Sequence, residues 1–113
     1  MADHIRIRPA TGKWTIRAGG AIIGETTRAL ELSEGTYPPV IYFPREDIAM
    51  ALLDRSDRSS VCPYKGQAEY FTIAAKSGPI PDAAWSYPDP IPASAEIAGH
   101  LAFYPDKVII ERT

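Results

Sequence analysis

Residues 14–23 read WTIRAGGAII, and this stretch decides the class of fold. Two short runs rich in apolar residues, 14–17 and 21–23, flank Gly19 and Gly20. Adjacent glycines supply the positive φ angles that a tight turn between antiparallel strands demands. The stretch therefore predicts a β-hairpin.

Short strands are also predicted on both sides of this hairpin. Residues 4–8 (HIRIR) and 28–32 (RALEL) alternate apolar and polar residues, which is the period of a strand with one buried face. Residues 40–43 (VIYF) form an apolar run between prolines, and residues 68–74 (AEYFTIA) are rich in β-branched and aromatic residues. Further strands are predicted at residues 83–87, 101–104 and 108–111, with the last two as a closing pair.

Helical structure is predicted in only two short places. Pro44, two acids and an apolar run to residue 53 predict one short helix, and residues 93–99 predict a helical turn. Residues 54–60 (DRSDRSS) predict a polar turn. Six of the eleven prolines fall between residues 79 and 105, which predicts a segment that wraps around the domain instead of pairing. The whole pattern predicts a mainly β fold, a small antiparallel curled sheet or partial barrel with one or two short helices.

Length and composition narrow the functional classes. A chain of 113 residues predicts a single domain over residues 1–113, and a net charge of -2 argues against nucleic acid as a partner. One cysteine makes neither an internal disulfide nor a paired-cysteine zinc site, which predicts a cytoplasmic location. No stretch approaches the roughly 18 apolar residues that a membrane span requires, and no motif predicts a metal or a cofactor.

Residues 62–66 (CPYKG) bring together the only cysteine, a tyrosine and a lysine. An ammonium group beside a thiol favours the thiolate, so Cys62 is a candidate nucleophile, with Tyr64 and Lys65 as candidate ligand-binding residues. The alternative is that Cys62 is a small buried hydrophobic residue and that the string is a tight turn.

Two further strings supply the other candidate binding residues. In residues 42–47 (YFPRED), Arg45 can fork onto an anionic group that Asp47 helps to orient, or these residues cap a helix and form a surface ion pair. In residues 84–88 (AWSYP), Trp85 and Tyr87 stand beside a proline and can wall a ligand pocket. The alternative for these two aromatic residues is the core of a small β domain.

Taken together, four strings resemble a known family: residues 42–47, residues 62–66 with Ala68 and Tyr70, residues 84–88, and residues 102–104 (AFY). The chain resembles the short bacterial and fungal domains of the domain of unknown function 427 family, also labelled nucleotidyltransferase-like, over about residues 16–108. The resemblance implies a compact, mainly β domain of the curled-sheet kind that is likened to β-tent zinc proteins. It implies little about activity, because the function of the family is not established.

The label nucleotidyltransferase-like finds no support in the residues. That reaction requires carboxylates that hold magnesium and a glycine-rich phosphate cradle, and neither motif occurs in the sequence. The cysteine pairs that hold zinc in β-tent proteins are missing as well, because Cys62 is the only cysteine.

Two hypotheses about function follow from the sequence. In the first, the three strings converge in one cleft, either binding or catalytic, that holds a small anionic metabolite; its residues are Arg45, Asp47, Cys62, Tyr64, Lys65, Trp85 and Tyr87. In the second, the domain is a non-catalytic interaction or assembly module whose exposed sheet edge pairs with a second copy as a homodimer.

Overall fold

The computed structural model describes residues 4–113, which form three open antiparallel sheets. In chain order the strands are β1 (Ile5–Pro9), β2 (Trp14–Ala18), β3 (Ala21–Thr26), β4 (Leu30–Glu34), β5 (Val40–Tyr42), β6 (Leu53–Cys62), β7 (Gly66–Ala75), β8 (Gly78–Ser86), β9 (Leu101–Phe103) and β10 (Ile109–Arg112). The sheet orders are β1-β4-β5, β10-β2-β3 and β6-β7-β8-β9. The predicted class, a small mainly β domain, is confirmed, and none of the three sheets closes into a barrel.

The predicted hairpin is β2 and β3. Its turn residues Gly19 and Gly20 have φ angles of 57° and 85°, as the two-glycine sequence predicts. On its other side β2 pairs with β10, so the closing pair predicted near the C-terminus does not form. β9 pairs with β8 instead.

The four-stranded sheet includes two segments for which the local sequence predicted other structure. Residues 54–60, predicted as a polar turn, belong to β6, because pairing with β7 supplies backbone partners that outweigh the polar composition. The register shifts between Arg55 and Ser59, so a bulge absorbs part of this polar run. Pro79 and Pro81 lie inside β8, so the predicted wrapping segment is paired over its first part. A second register shift lets β8 accommodate Pro81 without a ladder hydrogen bond at that residue.

Over residues 5–113 the helical part of the chain consists of three short 3-10 turns, Arg45–Asp47, Met50–Leu52 and Pro92–Ile97. The last one matches the turn predicted at residues 93–99. The helix predicted after Pro44 is interrupted because Ile48 forms an antiparallel bridge with Gly24 of β3, which draws the backbone out of a helical path.

One residue pair joins two of the sheets. Phe43 and Leu101 exchange two backbone hydrogen bonds of 2.8 Å, so β5 continues sideways into β9. Neighbouring residues on these strands face opposite ways. Phe43 and Leu101 therefore enter a core shared with β2 and β3, whereas Tyr42 and Ala102 enter a second core between the two joined sheets.

Candidate functional site

A cavity of about 250 Å³, called the tyrosine-lined cavity below, lies between the two joined sheets, beside the second core. Six aromatic side chains line most of it, and its lining among residues 4–113 is Leu32, Glu34, Tyr37, Pro38, Val40, Tyr42, Lys65, Tyr70, Trp85, Tyr87 and Tyr104. These residues come from β4, β5, β7, β8 and the connections between strands. The cavity is therefore a product of the way the two sheets are joined, because no single segment of the chain supplies more than a part of its wall.

A buried ion pair supplies the charge of the cavity. Lys65 lies in the turn between β6 and β7, where its N–H donates to the carbonyl of Cys62 and its carbonyl accepts from Ile91. This turn directs the ammonium group to the end of β4, and Nζ donates to Oε1 of Glu34 at 2.6 Å. The Lys65 side chain is only 10% exposed and that of Glu34 is 21% exposed. Lys65 and Glu34 are the two charged side chains in the described lining.

Glu34 is held in its charged form. Burial raises the pKa of its carboxyl group, but the hydrogen bond and the charge of Lys65, together with His4, outweigh burial and bring the pKa below its ordinary value. The second oxygen of Glu34 lies 3.5 Å from Nε2 of His4, which approaches from outside the cavity lining. The pair therefore presents an ammonium donor and a carboxylate acceptor side by side.

The hydroxyls of Tyr42 and Tyr87 stay protonated. Burial raises the pKa of both Tyr42 and Tyr87 well above the ordinary value, and nearby Cys62 and Glu34 add to the shift. Tyr42 forms a side-chain hydrogen bond with the indole of Trp85, whereas the hydroxyl of Tyr87 has no hydrogen-bond partner among the described residues 4–113. Because Tyr87 is 6% exposed and lines the cavity, its hydroxyl is a polar group that a bound molecule can satisfy.

Two of the lining rings pack against each other. The Trp85 and Tyr104 rings lie 4.5 Å apart between centroids at an angle of 44°. Tyr70 is fixed beside them, since its hydroxyl lies 2.8 Å from Oγ of Ser60 and the Arg58 guanidinium covers its ring at 4.3 Å. Tyr70 is therefore preorganised by contacts with residues that lie outside the cavity lining.

Arg45 lies on the opposite face of the four-stranded sheet and does not line this cavity. Its guanidinium donates to the carbonyl of Gly99 at 3.0 Å and, at 3.2 Å each, to Glu69 and Ser86. Glu69 and Ser86 are cross-strand partners, one residue before Tyr70 and one after Trp85 respectively, so they face away from those rings. The single cleft predicted for all three strings is therefore not formed, because strand alternation separates Arg45 from Trp85.

Asp47 is also remote from the cavity. It accepts hydrogen bonds from Thr26 at 2.7 Å and from Arg28 at 3.1 Å. The hydrogen bond from Thr26 lowers the pKa of the Asp47 carboxyl. Burial raises this pKa, but the Arg28 guanidinium lowers it further, so the pKa lies below its ordinary value. These contacts are those of a residue that ties the 3-10 turn Arg45–Asp47 to the end of β3.

Cys62 and Tyr64 lie near the cavity without lining it. Cys62 ends β6 and packs, half-buried, against the second core. The Tyr64 ring contacts His4 edge-on at 4.6 Å, and the Tyr64 carbonyl accepts a hydrogen bond from Ser94. Of the seven residues that the sequence singles out, Lys65, Trp85 and Tyr87 line one cavity together, and the other four do not.

Comparison with known families agrees with the resemblance found in the four strings. The sequence matches the family described as domain of unknown function (DUF427) over residues 6–113. The chain belongs to this family. The match extends the resemblance, predicted for about residues 16–108, to include β1 and β10. No curated protein matches the chain.

A second cavity of this DUF427 domain, about 330 Å³, lies beside β6 and β7. Its charged lining residues include Arg55 and Glu69, which are paired at 2.9 Å, and Glu69 also pairs with Arg45. The cavity is larger than the tyrosine-lined one. Its described lining contains no aromatic side chain, however, so it offers a ligand no ring to pack against.

Within residues 4–113, no three His, Cys, Asp or Glu side chains come together as a metal-ligand set. No helix in that part of the chain has the length and apolar character of a membrane span.

Sequence reasoning missed Glu34 as a member of the site, because its sequence context indicates only the end of a strand. The partner of Glu34 stands 31 residues later, so no local pattern relates the two. Tyr42 and Tyr70 stood in family strings, but their turn toward one cavity follows from the register of β5 and β7.

Proposed function

We propose that this DUF427 domain binds a small, ring-bearing organic molecule in the tyrosine-lined cavity. The observation that carries the proposal is Lys65, a charged side chain with only 10% exposure whose ammonium lies at a cavity walled by aromatic rings. Burial of a charge is costly, and replacing a buried ion pair by apolar residues is often neutral or stabilising. The presence of Lys65 and Glu34 at a cavity is therefore better explained by recognition of a ligand than by stability.

The size of the cavity limits the ligand to about one ring with a small polar group. An apolar cavity of about 150 Å³ holds benzene, and this cavity measures about 250 Å³. The six aromatic side chains of the lining suit a planar ring. Polar groups of the ligand would meet Lys65, Glu34 and the hydroxyl of Tyr87.

An anionic ligand and a nucleophilic role for Cys62 remain predictions of lower priority. The anion prediction assumed two cations, but Arg45 is paired with Glu69 on the other face, and Glu34 balances Lys65. Cys62 does not line the cavity, so catalysis through its thiol would need a movement of the turn after β6. Binding requires no such movement.

The assembly hypothesis has one observation in its favour. β6 is an edge strand of ten residues, and Val61 near its end is 77% exposed. The bulge between Arg55 and Ser59 interrupts the straight edge that a second strand would need. Because bulges are one of the devices by which edge strands avoid pairing, we place ligand binding first.

A single-tryptophan variant tests the proposal. Trp14 belongs to β2, outside the cavity, and its indole N–H donates to the carbonyls of Ala10 and Thr11. In Trp14→Phe, the fluorescence therefore reports on Trp85 alone. We expect a subset of a library of one-ring compounds to change this fluorescence and to raise the melting temperature.

The matched control is the unsubstituted protein studied by two-dimensional NMR, in which the same compounds should shift the amide signals of residues that line the cavity. A library that leaves Trp85 fluorescence and these amide signals unchanged would contradict the proposed function. Sedimentation analysis in the same buffer tests the assembly hypothesis, since a stable dimer would favour it.

A further inference from the structure

We infer that the ligand of the tyrosine-lined cavity is an uncharged planar ring with an N–H donor and a carbonyl acceptor next to each other on one edge, that is, a cyclic amide. The inference rests on the proposed function and names the chemical class of the ligand. It is carried by the paired charges of Lys65 and Glu34 and by the aromatic side chains that line the cavity.

The first step of the argument concerns net charge. Lys65 and Glu34 are the charged side chains of the described lining, and they cancel each other at 2.6 Å. A carboxylate ligand that approached Lys65 would meet the neighbouring charge of Glu34, and a cationic ligand that approached Glu34 would meet Lys65. Either ion would also lose its hydration in a cavity walled by aromatic rings. A neutral ligand avoids both costs.

The second step concerns unused hydrogen-bonding capacity. An ammonium group has three N–H donors, and in the described structure Lys65 uses one of them on Glu34. Each oxygen of a carboxylate has two acceptor sites, so Glu34 retains acceptor capacity even though Lys65 contacts Oε1 and His4 lies 3.5 Å from Oε2. A carbonyl next to an N–H on one ring edge would bind both residues at once, with the hydroxyl of Tyr87 as a further donor.

The third step concerns the shape of the ring. Trp85 and Tyr104 belong to a lining with six aromatic side chains, against which a planar π-system can pack. The remaining apolar wall includes Leu32 and Val40, which suit ring carbons and offer no polar group. One ring with its polar edge toward Lys65 and Glu34 therefore satisfies every part of the lining.

Four probes of similar size separate the possible ligand classes: 2-pyridone, N-methyl-2-pyridone, benzoate and benzylammonium. Binding is measured on the full chain by NMR titration and by the fluorescence of the Trp14→Phe variant. We expect 2-pyridone to bind at least about tenfold more tightly than N-methyl-2-pyridone, which lacks the donor for Glu34, and than either ion.

Glu34→Gln provides the decisive variant, because it keeps the shape of the side chain and leaves the charge of Lys65 unbalanced. We expect it to bind benzoate at least about fivefold more tightly than the unsubstituted protein does, and 2-pyridone more weakly. Glu25→Gln is the matched control, since Glu25 is half-exposed in a surface pair with Lys13 and should change neither affinity.

The outcomes separate this inference from the proposed function. If benzoate or benzylammonium binds the unsubstituted protein more tightly than 2-pyridone, the cyclic amide is overturned while the binding function stands. Equal affinity for 2-pyridone and its N-methyl derivative also overturns it, because the donor edge would then be irrelevant. If none of the four probes binds at millimolar concentration, both the inference and the proposed function are overturned. The probe titrations use the unsubstituted chain, so they decide the matter even if Glu34→Gln does not fold.

Discussion

Substitution of Lys65 by methionine should destabilise the domain strongly, although it exchanges a charged side chain for an apolar one of similar length. The reason is Glu34, whose side chain is 21% exposed and which would keep its burial without its cation. Loss of one partner of a buried ion pair costs about 3–5 kcal/mol. Because Glu34 retains some solvent contact, we expect the lower end, about 3 kcal/mol.

The assay is urea unfolding at pH 7, followed by tryptophan fluorescence and circular dichroism. With a slope of about 1–3 kcal/mol per molar urea for a domain of this size, the unfolding midpoint should fall by roughly 1–3 M. Lys13→Met is the matched control, because the Lys13 and Glu25 side chains are 50% and 51% exposed. That substitution should change the free energy of unfolding by less than about 1 kcal/mol.

A double variant with methionine at both Lys65 and Glu34 tests the reasoning further. If the pair is retained for ligand recognition and not for stability, removing both charges should recover most of the lost free energy, to within about 1 kcal/mol of the unsubstituted protein. A double variant as unstable as Lys65→Met would refute this. So would a cost below about 1 kcal/mol for Lys65→Met, because it would mean that Glu34 is not confined by burial.

The remaining predictions concern pH and the opposite face of the sheet. The folded pKa of Glu34 lies below its unfolded value, so the stability that it contributes is present above about pH 4.3 and is lost as the pH falls through the folded pKa. Urea midpoints between pH 6 and pH 3 should show this loss, and Lys65→Met should show less of it. Arg45→Lys should lower the free energy of unfolding by about 1–2 kcal/mol, because one ammonium cannot replace the guanidinium contacts to Gly99, Glu69 and Ser86. Ligand affinity in the tyrosine-lined cavity should stay unchanged in Arg45→Lys, and a loss of affinity would contradict the separation of the two faces.

Local patterns predicted the strands well where the chain itself carries the signal. Gly19 and Gly20 mark the first hairpin because only glycine adopts their backbone angles without strain. Alternation and β-branched residues likewise indicated β1, β4, β5 and β7. Residues 54–60 were mispredicted as a turn because their polar composition says nothing about the neighbouring strand that pairs with them.

The candidate site was predicted only in part. Lys65, Trp85 and Tyr87 stood out because polar and aromatic residues cluster in their strings, and they do share a cavity. Arg45 stood out by the same criterion but faces the other way. A cluster of polar and aromatic residues in the sequence shows which side chains can bind a ligand, but it does not show on which face of a sheet each side chain lies.

The sequence by itself determined the class of this protein: a small mainly β domain of the DUF427 family, with turns set by glycine and strands set by alternation. These features depend on interactions between residues close in the chain, which a linear pattern records. Only the tertiary structure decided the site, because the pairing of Lys65 with Glu34 depends on a turn and a strand end 31 residues apart. The joining of two sheets brings them together, and the hydrogen bonds between Phe43 and Leu101 that join these sheets leave no periodic trace in the sequence.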